Sequence, residues 1–219
     1  MFADRSDAGR QLGASLREFF GRECSGDEMV TLALPRGGVP VAYQVAKALA
    51  ARLDVFVVRK LGAPRQPELA MGAIASGGVR VVNDEVVRAL QITPEQLAET
   101  AERETHELER REQVYRGNRS PIDVKGRCVL LIDDGVATGY TMRAAVAALR
   151  QREPKKIIIA APVAAKDTCE ELKQHADAIV CLVTPFDFAA VGQWYRHFDQ
   201  TSDEEVRLLL ERAAETGLS

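Results

Sequence analysis

Short apolar runs alternate with segments of helical periodicity along most of the chain. Such runs are typical of strands that are buried on both faces of a parallel sheet. They predict strands at residues 29–34, 54–58, 128–132, 156–160 and 178–183. The 3.6-residue periodicity predicts helices at residues 4–20, 41–51, 141–151, 167–175 and 203–215. The alternation predicts an α/β fold with an open, doubly wound, mainly parallel sheet, and the first helix is expected to end at Gly21.

Residues 61–120 interrupt this alternation, and we interpret them as an insertion between two strands of the sheet. Glycines and prolines punctuate the first part. Two short apolar runs, 71–75 and 79–82, flank Ser76-Gly77-Gly78, which predicts a β-hairpin.

A long polar helix is predicted in the second half of the insertion, after a short helix at 84–90. Thr93-Pro94-Glu95-Gln96 has the residues of a capping box with proline in the first turn, and the helical pattern continues to about Arg116. Its apolar stripe is thin and most of its residues are charged. We interpret it as a helix lying across a surface, while pairing with another chain in a homodimer stays an alternative.

Composition narrows the class of protein. Hydrophobic residues make up 46% of the 219 residues and charged residues 28%, which is ordinary for a soluble globular protein. A net charge of −3 gives no support for a nucleic-acid or anionic membrane partner. The N-terminus is polar, and no apolar run approaches the ~18 residues of a membrane span. These features predict a cytoplasmic protein that binds neither nucleic acid nor membrane.

Cysteine and histidine show no metal-ligand spacing. Cys24, Cys128, Cys169 and Cys181 form no CxxC pair, and some of them lie in aliphatic runs, so we expect reduced thiols. The histidines are far apart in the sequence, and no structural metal site is predicted.

One stretch, VLLIDDGVATGYT at 129–141, concentrates the candidate chemistry. An aliphatic run leads directly into Asp133 and Asp134, and the small residues of Gly135–Gly139 precede a helix. Open α/β sheets bind ligands at the carboxyl ends of their strands, and a turn of small residues at a helix start presents N–H groups to a phosphate. The stretch therefore predicts a ligand that has a phosphate next to hydroxyls or a bound cation.

Other motifs with these residue types do not fit. A phosphatase-like DxD pair needs an acid where Gly135 stands, no GKS or GKT of a Walker A loop occurs, and Gly135 and Gly139 have no third glycine of a GxGxxG motif. Capping of the following helix would explain one carboxylate well. It explains two adjacent carboxylates poorly, because neighbouring side chains at a strand end point in opposite directions.

Residues Ile132–Thr141 resemble the ribosyl-5-phosphate motif of the type I phosphoribosyltransferases. The form DD-x-x-A-T-G-x-T-M is closest to that of the adenine phosphoribosyltransferases. The resemblance implies that Asp133 and Asp134 engage the ribose hydroxyls of phosphoribosyl pyrophosphate (PRPP). It also implies that the 5′-phosphate is held by the loop residues Gly135, Val136, Ala137, Thr138, Gly139, Tyr140 and Thr141.

Two further segments acquire roles from the same resemblance. Arg36-Gly37-Gly38, after the first strand, is similar to the family's pyrophosphate loop. Arg59 and Lys60, which the pattern places at the end of the second strand, would neutralise the pyrophosphate together with Mg²⁺. Asp133 and Asp134 would hold that metal through water or hold the ribose directly. The implied catalytic residues are Arg36, Arg59, Lys60, Asp133 and Asp134.

The reaction implied by the resemblance is Mg²⁺-dependent transfer of ribosyl 5-phosphate from PRPP to a nitrogenous base or related acceptor, with release of pyrophosphate. The alternative is a PRPP- or nucleotide-sensing regulator with the same fold and little or no turnover. Ala137 stands where the hypoxanthine-guanine enzymes have an acid near the purine, which disfavours a 6-oxopurine acceptor. As a whole the chain resembles a bacterial branch of predicted phosphoribosyltransferases, and the acceptor stays open.

The resemblance also implies how the single domain is organised. The core comprises about residues 29–60 and 124–185, with an insertion or lid at about 61–120. Its first part, 61–83, occupies the position of the family's mobile loop, either as a closing lid or as a rigid hairpin that serves only architecture. A small hood would be built from about residues 1–25 and 184–219. Aromatic side chains of this hood that could stack on a base are Phe186, Phe188, Trp194 and Tyr195.

Overall fold

The computed structural model describes residues 1–20 and 28–218, so the predicted helix end at Gly21 and the predicted thiol at Cys24 lie outside the described residues. The strands are β1 (Met29–Ala33), β2 (Arg52–Val55), β3 (Val58–Ala63), β4 (Gln66–Ala75), β5 (Val79–Val82), β6 (Cys128–Ile132), β7 (Lys156–Val163) and β8 (Ala178–Val183). The helices are α1 (Arg5–Phe20), α2 (Gly38–Leu49), α3 (Asp84–Ala89), α4 (Pro94–Arg116), α5 (Tyr140–Arg150), α6 (Lys166–Leu172) and α7 (Asp203–Glu215).

Five parallel strands form the central sheet, in the order β2-β1-β6-β7-β8. The chain adds β2 on one side of β1 and the later strands on the other, so the winding direction reverses between β1 and β6. Ala33 pairs with Ile132, which puts the carboxyl ends of β1 and β6 side by side. The predicted doubly wound α/β fold is confirmed, and the crevice at this reversal is where such sheets bind ligands.

Both faces of the sheet are covered, which explains the unbroken aliphatic runs. Leu130 and Ile132 of β6 enter an apolar cluster with α1 and α2, whereas Val129 and Leu131 enter a second cluster with α5. All four side chains are fully buried. Among the described cysteines no disulfide is formed.

The chain leaves the central sheet earlier than the sequence predicts. The predicted strand 54–58 with Arg59 and Lys60 at its end is wrong, because β2 ends at Val55 and the next strand, β3, belongs to a separate antiparallel sheet β3-β4-β5. Two hydrogen bonds hold the chain at the point where it passes from the central sheet to the antiparallel sheet. The N–H of Val57 donates to Ser76 Oγ, and the N–H of Ser76 donates to the carbonyl of Val57, both at 2.8 Å. Arg59 and Lys60 therefore lie inside an antiparallel strand and not at the carboxyl end of a core strand.

The predicted hairpin is confirmed as β4 and β5. Its turn uses Gly77 and Gly78, whose φ angles of +84° and +76° lie in the left-handed region that favours glycine. The first strand is longer than predicted, since β4 begins at Gln66 and pairs with β3 as well as with β5.

Helix α4 lies across the surface formed by β3, β4 and α7. The predicted capping box is confirmed: Thr93 Oγ1 accepts the N–H of Gln96, and Gln96 Oε1 accepts the N–H of Thr93. Ala101, Leu108 and Tyr115 of the thin apolar stripe are buried. Neither α4 nor any other helix in the described ranges is long and apolar enough to cross a membrane.

A buried ion pair ties the end of α4 to the central sheet. Arg116 Nε lies 2.8 Å from Asp54 Oδ1, and Arg116 Nη2 donates to the carbonyl of Val55 at 2.6 Å. The Asp54 carboxylate also accepts the N–H groups of Val55 and Ile122, at 2.7 and 3.1 Å. The carboxylate of Asp54 therefore holds both the end of α4 and Ile122, which follows it, against β2.

Replacing Arg116 by methionine is expected to lower the free energy of unfolding by about 3–5 kcal/mol, because removal of one partner leaves a buried charge uncompensated. Equilibrium urea denaturation measures the change. The matched control is Lys125→Met, which removes an ion pair between the exposed side chains of Lys125 and Glu153 and should cost at most about 1 kcal/mol. Equal losses in the two variants would contradict the anchoring role of Arg116.

Candidate functional site

The loop after β1 touches the acid pair after β6. A Cβ added to Gly37 would lie 2.0 Å from Asp134 Oδ2, and one added to Gly38 would lie 2.7 Å from the carbonyl oxygen of Ile132 and 3.0 Å from Asp133 Cα. The approach requires glycine at position 38, where the nearest atoms are backbone, whereas a Cβ at position 37 would force the Asp134 side chain to move. The predicted Arg36-Gly37-Gly38 loop and the predicted acid pair thus belong to one site.

The adjacent carboxylates of Asp133 and Asp134 have different surroundings. Asp133 Oδ1 accepts the N–H of Asp134 at 2.9 Å, whereas Asp134 Oδ2 lies 2.7 Å from Arg5 Nε. Burial of its carboxyl, together with the neighbouring Asp134 carboxylate, raises the pKa of Asp133 well above its usual value of 3.8. Ionisation of Asp133 is therefore costly in the free protein.

The segment Gly135–Thr141 is anchored at its start and open at its end. Val136 forms a bridge with Ala164, and its N–H donates to the carbonyl of Val163 at 2.9 Å. Ala137 and Thr138 are exposed, and Tyr140 begins α5. The N–H groups of a first helical turn have no intrahelical partner, and together with the helix dipole they suit an anion.

Thr168 of α6 fixes the shape of this loop. Its hydroxyl donates to the carbonyl of Ala137 at 2.6 Å, which orients one peptide of the loop. Its methyl group would lie 2.7 Å from a Cβ at Gly139, and Gly139 has a φ of +70°. Both crowding and backbone conformation therefore favour glycine at this position.

Two of the predicted pyrophosphate cations are paired with acids from the periphery of the fold. Arg36 Nη1 lies 3.7 Å from Asp203 Oδ1 at the start of α7, and Tyr115 donates to the same oxygen at 2.9 Å. Arg59 Nε and Nη2 lie 3.0 and 2.7 Å from Glu104 Oε2 of α4. A pyrophosphate that used either arginine would share it with a carboxylate or displace that carboxylate.

The third predicted cation, Lys60, borders two pockets. Side chains alternate along a strand, and Val58 and Lys60 border a pocket of about 770 Å³ that Tyr140 and Thr141 of α5 also line. A second pocket, of about 590 Å³, is lined by Arg59 and Lys60 together with residues of α4. Arg59 and Lys60 therefore share the second pocket, and only Lys60 of the two borders the first.

Two residues that contact the acid pair were missed by the sequence analysis. Arg5 binds the carboxylate of Asp134, and the hydroxyl of Tyr195 donates to the carbonyl oxygen of the same residue. A single arginine in a polar N-terminal segment has no motif, and Tyr195 was considered only as a stacking residue. Because Tyr195 is buried, it has no exposed face for a base, whereas Phe186 is exposed and its ring centre lies 4.0 Å from Lys166 Nζ.

Comparison with known proteins identifies the family. A model of the phosphoribosyl transferase domain matches residues 13–195, which span both the glycine loop and the acid pair. The chain belongs to the phosphoribosyl transferase domain family.

Similar proteins match this chain over nearly its whole length. Two proteins, from Mycobacterium tuberculosis strains CDC 1551 and H37Rv, are provisionally named phosphoribosyl transferases and are each 48% identical over 213 residues, or 97% of this chain. The match covers 47% of each of those proteins, so the chain spans about half the length of these curated relatives. The crystal structure of TT1426 from Thermus thermophilus has 40% identity and a TM-score of 0.86, with 97% of this chain and 98% of that chain covered.

Replacing Asp133 by asparagine is expected to raise the melting temperature at neutral pH in the absence of divalent cations. Because folding raises the pKa of Asp133, the ionised carboxylate costs stability above that pKa, and the cost disappears as pH falls toward the usual value of 3.8. A gain of a few degrees is expected, as each kcal/mol corresponds to about 2–4 °C in a chain of this size. Thermal melts between about pH 4 and pH 8 measure the difference.

The control for this prediction is Asp123→Asn. The N–H of Lys125 donates to Asp123 at 3.0 Å and lowers the pKa of that carboxyl, so its ionised form contributes stability above its usual pKa and its replacement should give no gain at neutral pH. A pH-independent effect of Asp133→Asn, or an equal gain in both variants, would show that the Asp133 carboxylate is not destabilising.

Proposed function

We propose that this domain transfers ribosyl 5-phosphate from PRPP to a nitrogenous acceptor and releases pyrophosphate. The observation that carries the proposal is the contact of Gly37 and Gly38 with the Asp133–Asp134 pair at the winding reversal of the sheet. Membership in the phosphoribosyl transferase domain family supports the same reaction class.

The arrangement suggests an orientation for PRPP. Asp133 and Asp134 would accept hydrogen bonds from the ribose hydroxyls, and the 5′-phosphate would occupy the start of α5, where the exposed loop residues meet the helix dipole. The pyrophosphate would then lie over Gly37 and Gly38, where the absence of side chains lets a ligand approach the backbone. The chain's contribution would be to hold the ribose carbon and the leaving group in a reactive geometry.

The donor set fits a magnesium ion that arrives with the substrate. Among the described residues no group of three or more acidic, cysteine or histidine side chains could hold a metal alone. Mg²⁺ commonly uses one or two carboxylates and completes its octahedral shell with water and substrate phosphates. Asp133 and Asp134 are the residues that would hold it, directly or through water. When bound, the ion would neutralise charge on the departing pyrophosphate.

Charge on the leaving group would also be stabilised by this chain's cations. Arg36 is held by Asp203 at a long 3.7 Å, and the carboxylate is 43% exposed, so a polyphosphate could exchange for it at low cost. Lys60 borders the pocket that Thr141 lines, on the side of the proposed 5′-phosphate loop. In this proposal Arg36 serves the pyrophosphate more directly than Lys60.

A PRPP-sensing protein with little turnover is the second candidate function. The short bond from Arg59 to Glu104 favours it, because an arginine held by a carboxylate that is only 14% exposed would stabilise a departing pyrophosphate less. Ala137 also supplies no acid or base next to an acceptor. A screen for pyrophosphate release across bases and other nitrogenous acceptors separates the two: PRPP binding without turnover on any acceptor favours the sensor.

The double variant Asp133→Asn with Asp134→Asn is expected to abolish binding of PRPP in the presence of Mg²⁺, because both charged acceptors for the ribose hydroxyls or the metal are lost. Isothermal titration calorimetry measures binding, and circular dichroism verifies the fold. A suitable control is the double variant Asp123→Asn with Asp177→Asn, which removes two acids that lie outside the candidate site. Unchanged PRPP affinity in the folded active-site variant would refute the proposed orientation.

Glu104→Gln is expected to strengthen PRPP binding about threefold to tenfold, since a charged partner of Arg59 is replaced by a neutral one. The control is Glu107→Gln on the same helix, whose carboxylate pairs with Arg110 and Arg111 instead. Titration of both variants with PRPP and Mg²⁺ makes the comparison. Weaker or unchanged binding by the Glu104 variant would exclude Arg59 as a pyrophosphate ligand.

A further inference from the structure

Arg5, in the first turn of α1, contacts the acid pair although the two are far apart in the sequence. Arg5 Nε donates to Asp134 Oδ2 at 2.7 Å, and the two side chains are only 12% and 14% exposed. Charge-assisted hydrogen bonds of this length are among the stronger ones in proteins, and low exposure limits screening by water and salt. The contact therefore exceeds an ordinary surface ion pair.

The guanidinium of Arg5 is held in place by other contacts. Arg5 Nη1 donates to the carbonyl of Asp199 at 2.6 Å, and the guanidinium carbon lies 3.9 Å from the centre of the Phe198 ring. Phe198 in turn stacks on Tyr195 with ring centres 4.9 Å apart. The donor that meets Asp134 is thus oriented before any ligand binds.

The main chain of Asp134 is held by the same group of residues. Tyr195 donates its hydroxyl to the carbonyl oxygen of Asp134, and Phe2 packs on the Tyr195 ring and forms a backbone bridge with the same residue. Asp133 differs, because its carboxylate accepts the backbone N–H of Asp134. The terminal segments therefore act on Asp134 and not equally on both acids.

We propose that Arg5 is a positioning residue that reserves Asp134 for a ribose hydroxyl and directs the divalent cation toward Asp133. This inference rests on the proposed function. Arg5 occupies Oδ2 of Asp134, and a hydroxyl donor suits the other oxygen of that carboxylate, Oδ1. A divalent cation on Asp134 would be repelled by the nearby guanidinium, whereas Asp133 Oδ1 is bonded to the neutral N–H of Asp134.

Gly37 packs against both members of the Arg5–Asp134 ion pair. A Cβ on Gly37 would be 2.0 Å from Asp134 Oδ2 and 3.2 Å from Arg5 Nε. The pyrophosphate loop, the carboxylate and the guanidinium therefore pack against one another. Arg5 would set the position of Asp134 relative to the loop that receives the leaving group.

The test compares Arg5→Gln and Arg5→Lys with the wild-type chain. The control is Arg10→Gln, which removes a more exposed arginine of the same helix that lies 3.6 Å from Asp7. Two titrations are made on each protein: Mg²⁺ alone, and PRPP at saturating Mg²⁺. Mg²⁺ binding to the free protein is the readout that a purely structural role of Arg5 would not strengthen.

Loss of the positive charge in Arg5→Gln should weaken PRPP binding about tenfold, because the carboxylate of Asp134 is then no longer oriented to accept the ribose hydroxyl. It should also strengthen Mg²⁺ binding to the free protein about threefold or more, because two adjacent carboxylates then lack a counter-charge. Arg5→Lys keeps the charge but not the planar stacking on Phe198, so its Mg²⁺ affinity should equal that of the wild type while PRPP binding recovers only in part. The control should match the wild type in both titrations.

Weaker PRPP binding in Arg5→Gln without tighter Mg²⁺ binding would overturn the inference and leave Arg5 with a structural role. If Arg5→Gln does not fold, Arg5→Met takes its place in the same two titrations: weaker PRPP binding with tighter Mg²⁺ binding would support the inference, and weaker PRPP binding without it would overturn the inference. A wild-type chain that binds no PRPP would refute the proposed function instead. The Mg²⁺ titrations would still decide whether Arg5 keeps the cation from Asp134.

Discussion

The close approach of Gly37 and Gly38 to the acid pair is the constraint on which the rest of the site depends. It exists because β1 and β6 are parallel neighbours whose ends are in register, and because neither glycine has a Cβ that would push the loops apart. One glycine contacts the carboxylate of Asp134 and the other contacts the backbone at the end of β6. The loop after β1, the acid pair and the start of α5 are consequently parts of a single surface.

Around this surface, charged side chains are neutralised by partners from distant parts of the chain. Asp134 is paired with Arg5 of α1, Arg36 with an acid of α7, and Arg59 with an acid of α4. These pairs differ in strength, since the Arg36 pair is long and exposed while the other two are short and less exposed. Through these ion pairs the N-terminal helix, the C-terminal helix and the insertion all contact charged residues of the candidate site.

The errors of the sequence analysis have a common cause. The apolar residues of β2 continue without interruption to Val58, and a continuous apolar run contains no sign that the chain changes from one sheet to another at Val57. The placement of Arg59 and Lys60 at the end of a core strand was therefore wrong, whereas the role of Arg59 toward pyrophosphate stays a prediction. The capping box at Thr93 and the turn at Gly77-Gly78 were predictable, because each depends only on residues next to one another in the chain.

By itself the sequence determined the alternation of strands and helices, the position of the acid pair at a strand end and the loop of small residues that opens α5. These features follow from local chemistry: burial of aliphatic side chains, glycine backbone freedom and the unpaired N–H groups of a helix start. Only the tertiary structure decided that Arg5 and Tyr195 hold Asp134 and that Arg59 pairs with Glu104. Such contacts join residues far apart in the chain, and an ion pair across that distance produces no periodicity or motif at either end.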